Sequence, residues 1–133
     1  MSSVVVDTDV VSYLFRRDSR AELYRPRLDG NLLVISFMTV AELDRWALER
    51  DWGEPRRRRM EEHLGNFVVY PYNPQMCREW AKVSDEARRK GRPVGVADAW
   101  IAATALLHEM PLVTHNREHF SDIEGLEVIS EAP

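Results

Sequence analysis

The sequence predicts an α/β domain in which helices flank a mainly parallel central sheet. Short apolar runs of strand length alternate along the chain with longer segments of helical periodicity. The clearest helix covers residues 75–90, where Met76, Trp80, Val83 and Ala87 recur at helical spacing. Strands that alternate with single helices or helix pairs are typical of parallel sheets, because each connection between parallel strands has to cross over the sheet.

Each predicted strand is a short run rich in Val, Ile or Leu that polar residues, Gly or Pro interrupt. In chain order the strands cover residues 4–6, 32–35, 67–70, 112–114 and 126–129.

The predicted helices begin at residues that can cap a helix N-terminus. Thr8 or Asp9 is expected to cap the first helix, and Ser36 or Thr39 the third. Pro26 falls inside the second helix, where it removes a backbone donor. The helices cover about residues 9–16, 21–28, 37–52, 54–64, 75–90, 98–109 and 117–120.

Composition indicates a single globular domain, residues 1–133, with 44% apolar and 30% charged residues. The net charge of −4 gives no overall attraction for a polyanion. The only cysteine, Cys77, excludes an internal disulfide and any zinc site built from several cysteines. No apolar run approaches the length of a membrane span, and the N-terminus does not resemble a signal peptide. We therefore expect a cytoplasmic protein with no membrane association.

The most informative stretch is residues 93–106, which reads as a loop leading into a buried, alanine-rich helix. Asp98 lies on the same helical stripe as Ile101 and Ala102. A carboxylate on a packed face requires a reason, because burying an unpaired charge is unfavourable. One reason is capping of the helix N-terminus, and the other is a functional site that several acids share.

Further polar residues follow the other predicted strands. Asp7 ends the first strand, Glu42 lies in the first turns of the helix after the second, and Thr114 and Asn116 follow the fourth. Ligands of parallel α/β sheets bind outside the carboxyl ends of the strands, so these residues are expected to converge with Asp98. Carboxylates placed together repel one another, and a divalent cation with oxygen ligands, Mg²⁺ or Mn²⁺, relieves that repulsion.

Each acid also has a purely structural interpretation. Asp7 is equally suited to cap the first helix, and Thr39 with Glu42 fits a capping box. Asp9 is expected to be a cap or a group behind the metal ligands. His115 and His119 are expected to be surface or turn residues.

Three stretches resemble the PIN-domain family, and more closely the VapC-type toxins of bacterial and archaeal toxin–antitoxin pairs. They read VVVDTDVVSYLF, ISFMTVAELDRW and RPVGVADAWIAATALLHEMPLVTHNREHF, in the order that the family shows them. The resemblance covers residues 4–129 and implies a three-layer PIN-like domain.

The resemblance also implies an endoribonuclease that depends on Mg²⁺ or Mn²⁺. It assigns the metal ligands to Asp7, Glu42 and Asp98, and the fourth position of the family's site to Asn116. Many family members have Asp at that fourth position, so the occupancy of a second metal site stays open. A cognate antitoxin that blocks the active site and a homodimer are implied in the same way. Thr114 is expected to support the ligands from behind.

The basic residues are sixteen arginines and two lysines, which suits bidentate recognition of phosphate. Arg88, Arg89 and Arg92 precede the Asp98 stretch and are the predicted RNA contacts. A run from Arg56 to Arg59, here called the arginine run, either touches RNA or is a solvated helix partly paired with the acids that follow it.

Two other functions compete with the ribonuclease. Asp7-Thr8-Asp9 after a strand resembles the start of haloacid-dehalogenase-type phosphatases, in which the first Asp is the nucleophile. Those enzymes also need a lysine and a downstream acidic pair, and this chain has only Lys82 and Lys90 and no well-placed pair. The second alternative is a PIN fold that serves as a binding module, with acids that only cap helices.

Overall fold

In the part of the chain that the structure describes, five short strands form one parallel sheet with seven helices around it. The computed structural model describes residues 2–133, so Met1, the first residue of the predicted domain, lies outside the described residues. The strands are β1 Ser3–Val6, β2 Leu32–Ser36, β3 Val68–Tyr70, β4 Leu112–Val113 and β5 Val128–Ile129. The helices are α1 Thr8–Arg16, α2 Ala21–Leu28, α3 Phe37–Glu49, α4 Glu54–Leu64, α5 Pro74–Arg89, α6 Val96–Leu107 and α7 Arg117–Phe120.

The alternation of side chains in β1 divides the molecule into three layers. Val4 and Val6 pack into a core on one face of the sheet, together with residues of α1 to α4. Val5 points to the other face and packs with residues of α5 to α7. Successive side chains of a strand leave opposite faces of the sheet, so a fully apolar strand needs helices on both sides. The predicted three-layer α/β fold is confirmed.

The strand order places a crevice beside β1. The sheet runs β3–β2–β1–β4–β5, and every pairing between neighbouring strands is parallel. The chain moves from β1 outward to β3 and then returns to the opposite side of β1 for β4. In parallel sheets, ligands bind at the carboxyl ends of the two strands where the order reverses, which here are β1 and β4.

All the predicted elements are present, but some boundaries differ. The first helix starts at Thr8 and is capped by Asp7, which corrects the prediction that Thr8 or Asp9 is the cap. The third helix is capped by Ser36, whose hydroxyl accepts a hydrogen bond from the Met38 backbone N–H, so Thr39 lies inside the helix. That helix also ends earlier than predicted, at Glu49, because the chain turns there before Trp52 enters the core.

Helix α6 is buried along most of its length. Ala99, Ala102, Ala103 and Ala105 are completely inaccessible to solvent. These small side chains let α6 lie close against both α5 and the sheet, so its N-terminal turn is held rigidly beside the crevice. Among residues 2–133, no helix has the length and apolar character needed to cross a lipid bilayer.

The cap of α5 offers a test of how that helix is held. The Asn73 side chain accepts a hydrogen bond of 2.8 Å from the Met76 backbone N–H. Because Ala cannot accept this bond, we expect Asn73→Ala to lower the free energy of unfolding by about 1 kcal/mol. For a domain of this size that loss lowers the melting temperature by about 3–5 °C. Gln75→Ala, at an exposed position of the same helix, serves as the control and should leave the melting temperature nearly unchanged.

Candidate active site

A buried hydrogen-bonded carboxylate lies where β1 and β4 end. Asp7 is only 4% exposed, and its Oδ1 accepts a hydrogen bond of 2.8 Å from the Thr8 backbone N–H. Its Oδ2 accepts a bond of 2.7 Å from the hydroxyl of Thr114, the residue that follows β4. The Asn116 backbone N–H donates to the same Thr114 hydroxyl at 3.0 Å. Asp7 therefore caps α1 and also ties the ends of two neighbouring strands together, so the capping interpretation and the predicted placement are both correct.

Glu42 is joined to the end of β1 by two buried threonines. The Thr8 hydroxyl donates a hydrogen bond of 2.7 Å to Glu42 Oε1, and the Thr39 hydroxyl lies 2.9 Å from the Thr8 oxygen. A hydroxyl carries a single hydrogen, so Thr39 donates to Thr8 while Thr8 donates to Glu42. The capping-box interpretation of Thr39 and Glu42 is therefore wrong, and both side chains turn toward the crevice.

Asp98 lies in the first turn of α6 but does not cap it. The cap position is Gly95, and no side chain accepts a capping bond there. Instead, Asp98 Oδ2 accepts a hydrogen bond of 3.0 Å from Nδ1 of His119, on α7. The capping interpretation of Asp98 is thus wrong, and this carboxylate is free to face the other acids.

Asp9 is held by the loop that follows β4. Its Oδ2 accepts a hydrogen bond of 3.1 Å from the backbone N–H of His115. The imidazole of His115 in turn contacts the buried hydroxyl of Tyr24, which accepts a bond of 3.0 Å from the Glu131 backbone N–H. The loop after β4 is therefore fixed by α2 and by the C-terminal segment as well as by the sheet.

Burial raises the pKa of all four acids at this end of the sheet, and neighbouring carboxylates raise the pKa of two of them further. Burial is the main reason that the pKa of Asp7 lies well above its ordinary range, and the charges of Asp9 and Asp98 raise it further. Burial likewise raises the pKa of Glu42, again with help from Asp98 and Asp9. The pKa values of Asp9 and Asp98 are also raised by burial, although His119 partly offsets the effect at Asp98. Asp7, which follows β1, and the acids of α1, α3 and α6 therefore form one electrostatic cluster.

The donor set of this cluster suits a hard divalent cation. A carboxylate offers about four acceptor positions, and Asp7, Glu42 and Asp98 use only one or two each in the hydrogen bonds described above. Oxygen ligands of this kind are preferred by Mg²⁺ and Mn²⁺. Within residues 2–133, no group of three or more His, Cys, Asp or Glu side chains has the arrangement of a metal-binding site.

The predicted RNA contacts are engaged with acids on the surface. Arg88 and Arg89 form ion pairs with Asp85 at 2.8 and 2.9 Å. Arg92 pairs with Asp122 at 2.7 Å and also lines a cavity beside Asp98. Of the three arginines, Arg92 is the one that borders the candidate site.

Much of the arginine run has partners within the protein. The Arg56 guanidinium lies 4.3 Å from the ring centre of Trp52, and Arg57 Nε donates to the Trp52 carbonyl at 3.0 Å. Arg58 pairs with Glu54, four residues earlier, rather than with the acids that follow the run. These contacts favour the solvated-helix interpretation, with a different acid as the partner.

Three residues at the site have contacts that the sequence did not predict. Thr8 and Thr39 act through hydroxyls that join two distant helices, and His119 reaches Asp98 from α7. The position of Thr8 directly after Asp7 is a usable signal in hindsight. No sequence pattern distinguishes His119 from an ordinary exposed histidine.

The chain belongs to the PIN domain family, whose family model matches residues 4–126. A curated relative, Ribonuclease VapC1 of Haemophilus influenzae strain R2866, is 34% identical over 128 residues, covering 92% of this chain and 93% of the relative.

Solved structures agree with this assignment. The fold is similar to that of VapBC-1 from nontypeable Haemophilus influenzae, with a TM-score of 0.80, 31% identity and coverage of 96% of both chains. It is also similar to a toxin–antitoxin complex from Klebsiella pneumoniae, with a TM-score of 0.77, 23% identity and coverage of 96% of this chain and 97% of the other. The second likeness carries information on the fold alone.

The raised pKa of Asp7 predicts how a neutral replacement affects stability. The folded protein favours the protonated carboxyl, so the stabilising effect of Asp7 is complete below its unfolded pKa of about 3.9 and is lost as the pH rises through the folded value. We therefore expect Asp7→Asn to raise the melting temperature at pH 7 in chelator. The gain should shrink as the pH falls and vanish near pH 3.9.

A matched control, Asp85→Asn, is expected to change the melting temperature in the opposite direction. A hydrogen bond from Arg88 lowers the pKa of the partly exposed Asp85, so Asp85→Asn should lower the melting temperature slightly at pH 7. Thermal melts of the parent and both variants between pH 4 and pH 7 measure these effects. A lower melting temperature for Asp7→Asn at pH 7 would show that its ionised form is well compensated.

Proposed function

We propose that this chain is a Mg²⁺- or Mn²⁺-dependent endoribonuclease that acts as the toxin of a toxin–antitoxin pair. The observation that carries the proposal is the cluster of acids at the carboxyl ends of β1 and β4, in which burial raises every pKa and neighbouring acids raise those of Asp7 and Glu42 further. The name of the 34% identical relative, a ribonuclease, supports the choice of RNA as the substrate.

In this proposal Asp7, Glu42 and Asp98 hold the metal ion. When bound, Mg²⁺ or Mn²⁺ supplies Lewis-acid activation of water and of the phosphodiester. Thr8 and Thr114 orient the carboxylates of Glu42 and Asp7 by donating hydrogen bonds to one oxygen of each, which leaves the other lone pairs for the ion.

Two further side chains complete the proposed arrangement. His119 holds Asp98 by a hydrogen bond to a single carboxylate oxygen. The side chain of Asn116, which follows β4, contributes a neutral oxygen or a hydrogen bond near the ion.

Replacement of Asp98 tests the mechanism directly. Asp98→Asn keeps the side-chain shape but removes one ligand charge, so we expect cleavage of single-stranded RNA in Mn²⁺ to fall by more than about a hundredfold, beyond the loss typical of groups behind a ligand. The affinity for Mn²⁺, measured by calorimetric titration of the metal-free protein, should fall with it.

Asp44→Asn is the matched control, since it removes the same charge from an exposed position of α3, two residues from Glu42. It should cleave RNA and bind Mn²⁺ as the parent does. Undiminished cleavage by Asp98→Asn would overturn the mechanism. Absence of specific Mn²⁺ binding by the parent would instead favour a PIN fold that serves as a binding module.

The proposed partners are a cognate antitoxin and a second copy of the chain. An acidic crevice suits an inhibitor that inserts an arginine among the carboxylates. The edge strand β3 exposes Val68 and Val69, and Tyr72 and Val96 are about two-thirds exposed, which supports a homodimer. The exposed, unpaired Cys77 suits a reducing compartment such as the cytoplasm.

The toxin assignment predicts growth arrest. Expression of this chain alone should stop bacterial growth, because uncontrolled cleavage of RNA blocks protein synthesis, and co-expression of the antitoxin from the neighbouring gene should restore growth. Asp98→Asn, expressed at the same level, is the control and should permit growth. Normal growth with an active enzyme and no antitoxin would refute the toxin role while leaving the ribonuclease intact.

A further inference from the structure

A cavity adjoins the candidate active site on the side of Asp98. It lies between α5, the loop of residues 91–95 and α7, and has a volume of about 400 Å³. This volume is within the range of about 300–1,000 Å³ that small-molecule sites occupy. Asp98 and His119 form part of its wall, so a group bound in the cavity would be continuous with a chain held at the carboxylates.

The inner wall of the cavity is apolar. Val83 and Ala87 of α5 line it together with Val94 and Ile123, and all except Ala87 belong to or pack against the core on this face of the sheet. A planar aromatic ligand would bury its face against these side chains and release water from them. Nucleobases of single-stranded RNA are recognised by such burial combined with hydrogen bonds to their edges.

The cations beside the cavity are already paired. Lys90 Nζ donates to the Asp122 carbonyl at 3.0 Å, and Arg92 pairs with the Asp122 carboxylate at 2.7 Å. The cavity also has three further carboxylates, those of Glu86, Glu118 and Glu124. Within residues 2–133, none of the three side chains has an ion pair or a hydrogen bond. The cavity therefore offers acceptors and repels phosphate, so its ligand has to supply N–H donors.

Guanine meets this requirement better than the other bases. Its Watson–Crick edge carries two parallel donors, N1–H and the N2 amino group, which match the two oxygens of one carboxylate in a charge-assisted pair. Uracil offers a single N–H on that edge. Of the three free carboxylates, Glu86 is partly buried and sits on the long helix α5, whereas Glu118 and Glu124 are exposed. A side chain on a helix is positioned more accurately than one on a loop.

We propose that this cavity binds the guanine base of a nucleotide next to the cleaved bond, with Glu86 accepting hydrogen bonds from N1–H and the N2 amino group. The inference rests on the proposed ribonuclease function for the choice of RNA, and it makes Glu86 a residue that determines specificity.

Binding of mononucleotides tests the cavity without any cleavage. Guanosine 5′-monophosphate should shift the NMR signals of cavity amides such as those of Val83 and Ala87. Inosine 5′-monophosphate lacks only the N2 amino group and should bind on the order of tenfold more weakly, as expected for the loss of part of a bidentate pair. Uridine 5′-monophosphate should produce no shifts there.

Glu86→Gln and Glu79→Gln form a matched pair of variants. Both residues are partly buried glutamates of α5, but Glu79 does not line this cavity. Glu86→Gln should reduce the difference between guanosine and inosine monophosphates to about twofold or less, whereas Glu79→Gln should keep it at about tenfold. Equal binding of the two nucleotides by the parent would overturn the proposal. The proposal would also be overturned if Nα-acetyl-arginine amide shifted the signals of the cavity amides and no nucleotide did. That result would assign the cavity to a protein partner.

Cleavage of a randomised RNA pool separates this inference from the proposed function. The parent should enrich guanine at one fixed position relative to the cut, and Glu86→Gln should lose that enrichment while Glu79→Gln retains it. Cleavage with no guanine preference would overturn the cavity proposal and preserve the ribonuclease. Selective binding of guanosine monophosphate by a chain that cuts no RNA would support the cavity and reject the ribonuclease.

Discussion

The hydrogen bond from the Thr114 hydroxyl to Asp7 is the contact on which the candidate site depends. It joins residues 107 positions apart in the sequence, and it exists because the strand order brings β1 and β4 side by side. Asp7 is buried, so its carboxylate requires this donor and that of Thr8. Two other residues of the site are fixed relative to this pair. The Asn116 backbone N–H donates to the Thr114 hydroxyl, and the Thr8 hydroxyl donates to the Glu42 carboxylate.

The buried acids of the candidate site lower the stability of the folded domain. Acids whose pKa is raised by burial and by neighbouring carboxylates destabilise the folded chain at neutral pH. The rest of the domain has to compensate, and the packing of α6 is one means by which it does so. Its inaccessible alanines bury the helix against the sheet while Asp98, in the first turn, remains in contact with the crevice. A cation bound among the acids would remove the unfavourable term, so the proposed ligand and the stability of the domain are physically linked.

The sequence predicted the layers and the edge of the sheet at which the acids lie, because both follow from simple rules. Alternating apolar runs and helical stripes identify the elements, and the carboxyl-end rule for parallel sheets brings Asp7 and Asp98 together. Prediction from the sequence failed where a polar side chain could either cap its own helix or bind a residue of another element. Thr39 and Glu42 have the spacing of a capping box, and only the position of α1 reveals that both turn to Thr8. His119 and the pairing of Arg58 with Glu54 depend on side-chain positions that periodicity does not encode.

Under the proposed function an acidic chain acts on a polyanion, and the distribution of charge is compatible with this. Arg88, Arg89 and Arg92, the predicted RNA contacts, are each paired with an acid. Phosphate contacts alone therefore give this surface little affinity for RNA. In the proposed function, positive charge reaches the cleaved phosphate through the metal ion, and the base, rather than the backbone, is held by the neighbouring cavity. Both steps use carboxylates as ligands, first for a cation and then for N–H donors, so a net charge of −4 is compatible with an RNA substrate.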